Sequence, residues 1–396
     1  MSPEVVAAII AASVSFLTLI GTLVAQYLGR RATSRDTQKT LEQQQEQLDK
    51  TLTEQREQLD RTLTEQRTRT LNERFATAAE QLGSDKPAVR LAGVYAMAGL
   101  ADDWNENRQT CVDVLCAYLR IPYEPEPEDD APAGERLAYL RYREVRHTVV
   151  RVIADHLREE ASTSWRGLDL DFTGVIFDGG NFQRCMFSGG EVRFNNSQFT
   201  DRVSSSGSVL SGGEVSFHSA EFCGAVNFNG TVFSGGDVYF YFAPFSGGLM
   251  NFMGAEFVSA EVPFDYATFS GGLITFDNAE SSGGKVSFND SSFSGGTVTF
   301  GGAKFSGGTV TFGGAKFSGG TVTFASEFAS TDTVTKSGKV VPDGKITLND
   351  CESVFTGTRV DFSGAADWSH PPTFSWAGTP PAGVILPPAH TGTHKL

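Results

Sequence analysis

FSGGTVTFGGAKFSGGTVTF, residues Phe305 to Phe324, repeats a twelve-residue unit in which phenylalanine returns at gaps of seven and five. The copy before it, FSGGTVTFGGAK, begins at Phe293. Each unit divides into two five-residue segments, AKFSG and VTFGG, and a two-residue insert, GT. Ala or Val stands two positions before each Phe, so both side chains point to one side of an extended chain. The pattern predicts a core of stacked rings rather than a binding or catalytic site.

The same spacing of phenylalanines, called the register below, begins far upstream of this stretch, at Phe172. Leu210 and Ser281 occupy positions at which the period predicts Phe. One coil cannot bury its own rings, so the rings must stack on the coils above and below. The SGG inserts lengthen a coil to about 24 residues, and we expect them to bulge where glycine takes positive φ. The phenylalanines in register are Phe172, Phe177, Phe182, Phe187, Phe194, Phe199, Phe233, Phe240, Phe245, Phe252, Phe257, Phe264, Phe269 and Phe276.

Length and charge limit the remaining possibilities. A chain of 396 residues with 40% hydrophobic residues is long enough for more than one folded unit. The formal net charge of -15 argues against direct nucleic-acid binding, because phosphate neutralisation needs Lys and Arg. It fits a soluble acidic surface or a mimic of DNA.

The N-terminal stretch Val5 to Leu28 contains no charged residue and would span roughly 36 Å as a helix. We predict a transmembrane anchor over residues 1–31. A signal peptide and a buried core helix are the alternatives, and the absence of a basic residue before the span disfavours the first. The basic residues Arg30, Arg31, Arg35 and Lys39 follow the span, which predicts that the bulk of the chain is cytoplasmic.

Two eleven-residue copies follow, QLDKTLTEQRE (Gln47 to Glu57) and QLDRTLTEQRT (Gln58 to Thr68). Leucines at gaps of seven and four keep one helical stripe apolar. We predict a coiled-coil stalk over residues 32–70 that makes the protein a homo-oligomer, with a solvated single helix as the alternative. The leucines of the stripe are Leu41, Leu48, Leu52, Leu59 and Leu63.

Denser apolar periodicity predicts a small helical domain over residues 71–160. Ser84 or Asp85 is the expected N-cap of a helix with Pro87 in its first turn. Further helices are expected over residues 110–119 and 136–158. The Pro-rich residues 329–396 are predicted to form a C-terminal cap and tail.

The segments AKFSG and VTFGG resemble the pentapeptide-repeat family over residues 165–328. The resemblance implies a right-handed, four-sided β-helix with one pentapeptide per face, and the inserts at each SGG depart from the family pattern. The anchor, stalk and helical domain also resemble an arrangement found in membrane-anchored bacterial members. The fold class is therefore α+β.

No catalytic, cofactor-binding or metal-binding residue is predicted. The sequence lacks a phosphate-binding GxxxxGK[ST] loop, HExxH and GxSxG. Asp102, Asp103 and Trp104 are expected to be structural, and His147 and His156 are expected to lie on the surface or as satisfied core residues. His390 and His394 are four residues apart, but a metal site is not expected in a Pro/Gly-rich tail that is not helical. Asp277, Glu280 and Asp290 would be the candidates if the coils resembled a carbohydrate-cleaving β-helix, but short inserts build no cleft. Five cysteines are expected to be reduced and buried: Cys111, Cys116, Cys185, Cys223 and Cys351.

These features together predict a scaffold that is not an enzyme and needs no cofactor. The chain would sit at the cell membrane as a single-pass protein and present a rigid β-helix to a protein partner. The alternative is an acidic DNA mimic that binds a DNA-binding enzyme such as a topoisomerase, although Lys285, Lys304 and Lys316 interrupt the acidic surface.

Overall fold

The computed structural model describes residues 2–122, 126–301, 303–305, 309–311, 315–324, 345–348, 359–361, 373–374 and 384–385. Side chains are described within these ranges up to residue 303, apart from 32–38, and again at 311, 315 and 316. The chain divides into two units, Met1–Asn72 and Glu73–Leu396, with the boundary inside the first helix.

Helix α1 (Pro3–Leu82) is continuous through both predicted N-terminal segments. Its part Pro3–Arg31 is long and apolar enough to cross a membrane, a test that a signal sequence or the core helix of a soluble protein also passes. The five leucines of the stripe are 41% to 58% exposed in the single chain. The eleven-residue period thus correctly predicts a helix, while its pairing into a coiled coil stays a prediction.

Three further helices form the helical domain: α2 (Pro87–Asp103), α3 (Arg108–Arg120) and α4 (Ala133–Leu157), with a 3-10 turn at Asn105–Asn107. Pro87 opens α2 as predicted, but the N-cap is Lys86 and not Ser84 or Asp85. Ser84 Oγ instead accepts a hydrogen bond from the Lys86 N–H at 3.2 Å, so its oxygen serves the preceding turn.

Short parallel strands then wind a β-solenoid of about 5 turns. They form three sheets. In chain order they are β1 (Leu170–Asp171), β2 (Ile176–Phe177), β3 (Gly180–Asn181), β4 (Met186–Arg193), β5 (Gln198–Phe199), β6 (Val203–Ser204), β7 (Val209–Ser216), β8 (Glu221–Phe222), β9 (Val226–Asn227), β10 (Val232–Tyr239), β11 (Pro244–Phe245), β12 (Leu249–Asn251), β13 (Glu256–Phe257), β14 (Glu261–Pro263), β15 (Thr268–Thr275), β16 (Glu280–Ser281), β17 (Lys285–Ser287), β18 (Ser292–Thr299), β19 (Lys304–Phe305), β20 (Thr309–Thr311), β21 (Lys316–Phe324), β22 (Lys345–Leu348), β23 (Arg359–Asp361), β24 (Thr373–Phe374) and β25 (Val384–Ile385).

The turns lengthen along the chain. Leu170 pairs with Val192, 22 positions later, whereas Pro244 pairs with Thr268, 24 positions later. The extra residues lie in the SGG inserts, where the register between β15 and β18 shifts on both sides of Ser270. The second glycine of these inserts takes the positive φ expected at such bulges, as at Gly213, Gly236, Gly272 and Gly296. The four-sided cross-section and the right-handed winding stay predictions.

The phenylalanines of the register are buried, as predicted. Phe252 is fully buried and stacks on Phe228 at 5.1 Å and on Phe276 at 4.8 Å between ring centroids. Leu210 and Ser281 stand in Phe positions and are 3% and 2% exposed. Rings at these spacings form columns that run through the interior from coil to coil.

The helical domain covers the first coil. Arg120 of α3 forms an ion pair with Asp171 of β1. Arg146 of α4 donates from Nη2 to the carbonyl oxygen of Ile176 at 2.9 Å. These contacts protect the first coil from pairing with another strand.

Beyond residue 328, the described strands continue the sheets. β22 pairs with β21, and β23 pairs with β20, both in parallel. The rest of the predicted cap and tail lies outside the described residues, together with Cys351, His390 and His394.

Candidate functional site: an outward aromatic column

Asp102 lies where α2 meets the start of the solenoid. Its Oδ1 accepts a hydrogen bond from Nε1 of Trp165 at 2.9 Å, and its Oδ2 lies 3.2 Å from Nε2 of His156. The His156 ring stacks on the fully buried Trp165 at a centroid distance of 3.9 Å. Asp102 and His156 therefore hold Trp165 in place, which agrees with the structural interpretation of both residues.

The other two residues at this helix end are also engaged. Asp103 pairs with Arg74 on the surface at 2.8 Å. Trp104 is half-buried, and its N–H donates to the carbonyl oxygen of Leu100 at 2.9 Å, which ends α2. Both contacts are structural.

Asp178 is an almost buried acid clamped by three side chains of α4. Its carboxylate accepts hydrogen bonds from Tyr139 Oη at 3.0 Å and Arg143 Nε at 3.1 Å, and it lies 3.0 Å from His147 Nε2. Arg143 also reaches the more exposed Asp201 at 3.4 Å. This cluster ties α4 to the first two coils, and the contact of His147 with Asp178 is a structural one.

The three acids considered for carbohydrate cleavage occupy different positions of the repeat. Asp277 follows the buried Phe276, and its Oδ1 accepts a hydrogen bond from the Gly301 N–H at 2.6 Å. Glu280 lies on β16, and Asp290 lies in a later turn with φ of 56°. Asp277 therefore links its turn to the same turn of the next coil, which is a structural role. Among the described residues, no group of three or more His, Cys, Asp or Glu is placed to hold a metal ion.

The described cysteines are free and fall into two classes. Cys111, Cys116 and Cys185 are buried, as predicted, and burial raises the pKa of Cys185 to about 12. Cys223 is exposed, which corrects the prediction that it is buried. It follows the inward Phe222 by one position, so the alternation of the strand turns its side chain outward.

A cavity of about 530 Å³ lies in the helical domain. Arg90 on its wall lies over the Tyr142 ring at 4.5 Å, and Arg90 Nη2 donates to Tyr142 Oη at 3.2 Å. The guanidinium is thus already engaged with the wall. Pro122 and Pro127 on the lining flank residues 123–125, which the structure does not describe, so the cavity carries no ligand assignment.

Aromatic side chains stack on the outside of the solenoid. We call His218, Tyr239, Tyr241, Phe242 and Tyr266 the aromatic column. The Phe242 and Tyr266 rings are stacked 4.9 Å apart at 10°, and 52% and 51% of these residues are exposed. The His218 ring lies 5.4 Å from Phe242, and Tyr239 stacks on Tyr241 at 5.4 Å. These side chains form a partly exposed aromatic surface on the solenoid.

Phe242 and Tyr266 sit in a backbone conformation that disfavours them. Their φ angles are 56° and 59°, in the left-handed region. Ser219 and Asp290 occupy the same turn position in the coils before and after, as the chain of backbone hydrogen bonds between these turns shows. Small polar residues tolerate this conformation, whereas a bulky L-residue costs about 1–2 kcal/mol. Two large aromatic residues are therefore held here against local preference.

Acidic residues lie close to Tyr239 and Tyr241 of the aromatic column. Tyr239 Oη donates to Asp237 Oδ2 at 2.8 Å, and burial together with this hydrogen bond raises the pKa of Tyr239. Burial and the charges of Asp265, Glu261 and Asp237 raise the pKa of Tyr241. Both phenols therefore remain protonated and neutral around pH 7, and the surface carries the negative potential of the carboxylates.

The period analysis did not single out the aromatic column. A signal was present in YFYFAPF, Tyr239 to Phe245, where aromatic residues also fill the outward positions between Phe240 and Phe245. Tyr266 occurs one coil later, at the position that Phe242 occupies in the coil before and Asp290 in the coil after. The two residues become one surface only when the turns are placed in register.

Comparison with protein-family models, with curated proteins and with solved structures found no significant match. The β-solenoid with stacked Phe is compatible with a pentapeptide-repeat fold.

Proposed function

We propose that this protein is a non-enzymatic, membrane-anchored scaffold whose β-solenoid binds a protein partner. The observation that carries the proposal is a half-exposed aromatic column on a regular solenoid, in a chain that also has an N-terminal helix apolar enough to cross a membrane. Solenoids commonly use such extended surfaces for binding. The stacked phenylalanines and the 24-residue turns support a right-handed, four-sided pentapeptide-repeat geometry.

The proposed topology places residues 1–31 in the cell membrane and the rest in the cytoplasm. Arg30 and Arg31 immediately follow the apolar stretch and favour this orientation. Fractionation of cells should recover the full chain with membranes and a version without Met1–Arg31 in the soluble fraction. Protease added outside intact cells should leave the C-terminus uncut. Cleavage of the C-terminus, or loss of the N-terminal residues by processing, would contradict this topology.

The leucine stripe of α1 is proposed to join copies of the chain. The five leucines of the stripe are 41% to 58% exposed in the single chain, and a second copy of the helix would bury them. Crosslinking of the full chain should give oligomers, and replacing Leu48, Leu52 and Leu59 with Gln should abolish them. Replacing Thr51, Thr53 and Thr62 with Gln is the matched control. Equal crosslinking in both sets would rule out the stripe as the contact.

A DNA mimic is the second candidate, because acids on the wall are in register. Glu191 pairs with Glu214, which pairs with Asp237. The column of charge then changes sign, since Lys285 is in register with Glu261. We therefore expect no inhibition of topoisomerase-catalysed supercoiling by the detergent-solubilised full chain. Inhibition at stoichiometric concentration would favour the mimic over the scaffold.

A further inference from the structure

We propose that the aromatic column binds the arginine side chains of a basic segment of the partner protein. This inference rests on the proposed scaffold function, and it names the chemistry of the partner. It starts from Phe242 and Tyr266, whose stacked rings are half exposed at 4.9 Å from each other. A pair of rings held rigidly by two successive turns offers a fixed platform on which a planar group can stack.

Carboxylates close to Tyr239 and Tyr241 of the aromatic column favour a cation. Asp237, Glu261 and Asp265 are close enough to raise the pKa of Tyr241, after the larger effect of burial. Glu214 adds a fourth carboxylate near Tyr239. Cations are attracted both to the faces of aromatic rings and to carboxylates, so the two features of this surface favour the same ligand.

Arginine fits this combination better than lysine. Its guanidinium is planar, stacks on aromatic rings and pairs with a carboxylate through two parallel hydrogen bonds. A lysine ammonium is a strongly hydrated point charge and would gain less from the rings. Nucleic acid is disfavoured because the same carboxylates repel its phosphates.

The aromatic column also differs from the surface that a DNA mimic would use. A mimic depends on acids spaced along the wall, whereas the proposed site depends on two aromatic rings at one place. The rings can be removed while every acid is kept. Asn196 already occupies the left-handed conformation in this solenoid with φ of 54°, so Phe242→Asn and Tyr266→Asn fit the turns they replace.

The test measures binding of a fluorescein-labelled peptide of alternating Arg and Gly to the full chain in detergent micelles. Matched peptides carry Lys or Glu in place of Arg. We expect the Arg peptide to bind more tightly than the Lys peptide, and the Glu peptide not to bind. The double variant Phe242→Asn with Tyr266→Asn should weaken the Arg peptide about tenfold.

The control is the variant Asn196→Ser, which changes the same turn position two coils before Phe242. It keeps the rings and should change the affinity less than about twofold. Circular dichroism of each variant confirms that the solenoid is retained. A second readout is sedimentation of the full chain, which should be the same for the wild type and for the Phe242/Tyr266 variant.

Four outcomes would overturn the proposal. Two concern the peptides: an unchanged Arg-peptide affinity in the Phe242/Tyr266 variant, and equal binding of the Arg and Lys peptides. The third is a change in sedimented mass in the variant, which would mark the column as a contact between copies. The fourth is binding of the oligosaccharide cellohexaose by the wild type that is lost in the variant, which would mark the column as a carbohydrate site. Peptide binding does not require a membrane. If the topology experiment contradicts the anchor but the Arg peptide still binds, the anchored scaffold is refuted and the arginine site is kept. If the topology is confirmed but the Arg peptide does not bind, only the arginine site is refuted.

Discussion

Phenylalanine side chains take two roles that depend on their position within a turn. Phe240 points inward and is fully buried, while Phe242, two positions later, is 52% exposed. A buried ring contributes about 2–3 kcal/mol by leaving water and also packs against rings of neighbouring coils. An exposed ring in the left-handed region contributes little to folding. Identical residues in one coil therefore allow stability and surface chemistry to be separated by mutation.

Phe252→Ala should lower the free energy of unfolding by about 3–5 kcal/mol, because a stacked ring is lost and a cavity remains. Phe242→Ala, the same substitution in an exposed turn, should change it by less than about 1 kcal/mol. Chemical denaturation of the full chain followed by circular dichroism measures both. Equal losses in the two variants would mean that the inward and outward assignments are wrong.

Cysteine reactivity should follow burial. Burial raises the pKa of Cys185 from 9.0 to about 12, so its thiol stays protonated at pH 8. The buried neutral thiol contributes stability that is fully present below pH 9 and is lost as the pH rises toward about 12. Iodoacetamide at pH 8 should therefore modify the exposed Cys223 and spare Cys185, as read by peptide mass spectrometry. The same treatment in urea is the control and should modify both, whereas rapid modification of Cys185 in buffer would contradict its burial.

At the level of elements, the SGG bulges allow successive strands to stay in contact despite the extra residues. Gly272 lies in one of these bulges with φ of 76°, and a Cβ there would lie 2.7 Å from the carbonyl group of Gly247 in the coil before. Gly254 has φ of 63° in a turn, but a Cβ there would meet nothing within 4 Å. The two glycines share a conformation and differ in the space around them.

Gly272→Ala should therefore destabilise the solenoid by more than about 3 kcal/mol, since both backbone strain and a backbone clash oppose it. Gly254→Ala should cost only about 1–2 kcal/mol from the left-handed conformation. Thermal unfolding of the two variants tests the difference. Similar losses would show that the coils do not approach each other at the bulge as described.

The junction between α4 and the solenoid depends on Asp178. Asp178→Ala removes the acceptor of Tyr139 and Arg143 in a nearly buried cluster and should cost about 2–3 kcal/mol. Asp201→Ala removes the exposed contact of the same arginine and should cost less than about 1 kcal/mol. Denaturation of full-length variants measures both values. A larger loss for Asp201→Ala would contradict the assignment of Asp178 as the anchor of this junction.

For the whole molecule, the repeat periods of the sequence predicted the features that depend on a residue recurring at the same place in each coil or helical turn. The phenylalanine period that includes Phe252 predicted the buried column of rings, because a residue that recurs once per face must point to the same side in each coil. The leucine period of residues 47–68 gave a helix for the same reason. Lys86 is the N-cap because Ser84 Oγ accepts a hydrogen bond from the Lys86 N–H, and a residue pattern does not specify such a local hydrogen bond. The aromatic column depends on which turn positions of separate coils lie side by side, so Phe242 and Tyr266 became neighbours only through the 24-residue spacing of the turns.

The central claim is that a membrane-anchored solenoid recruits a partner from the cytoplasm. Proximity labelling in cells tests it most directly, with the tagged full chain compared with a version that lacks Met1–Arg31 and with the Phe242/Tyr266 variant. The account predicts that a set of cytoplasmic neighbours labelled by the full chain is lost when the anchor is removed, and that its basic members are lost when the aromatic column is removed. The same neighbours in all three versions, with a topoisomerase among them, would contradict the anchored scaffold and favour the DNA mimic.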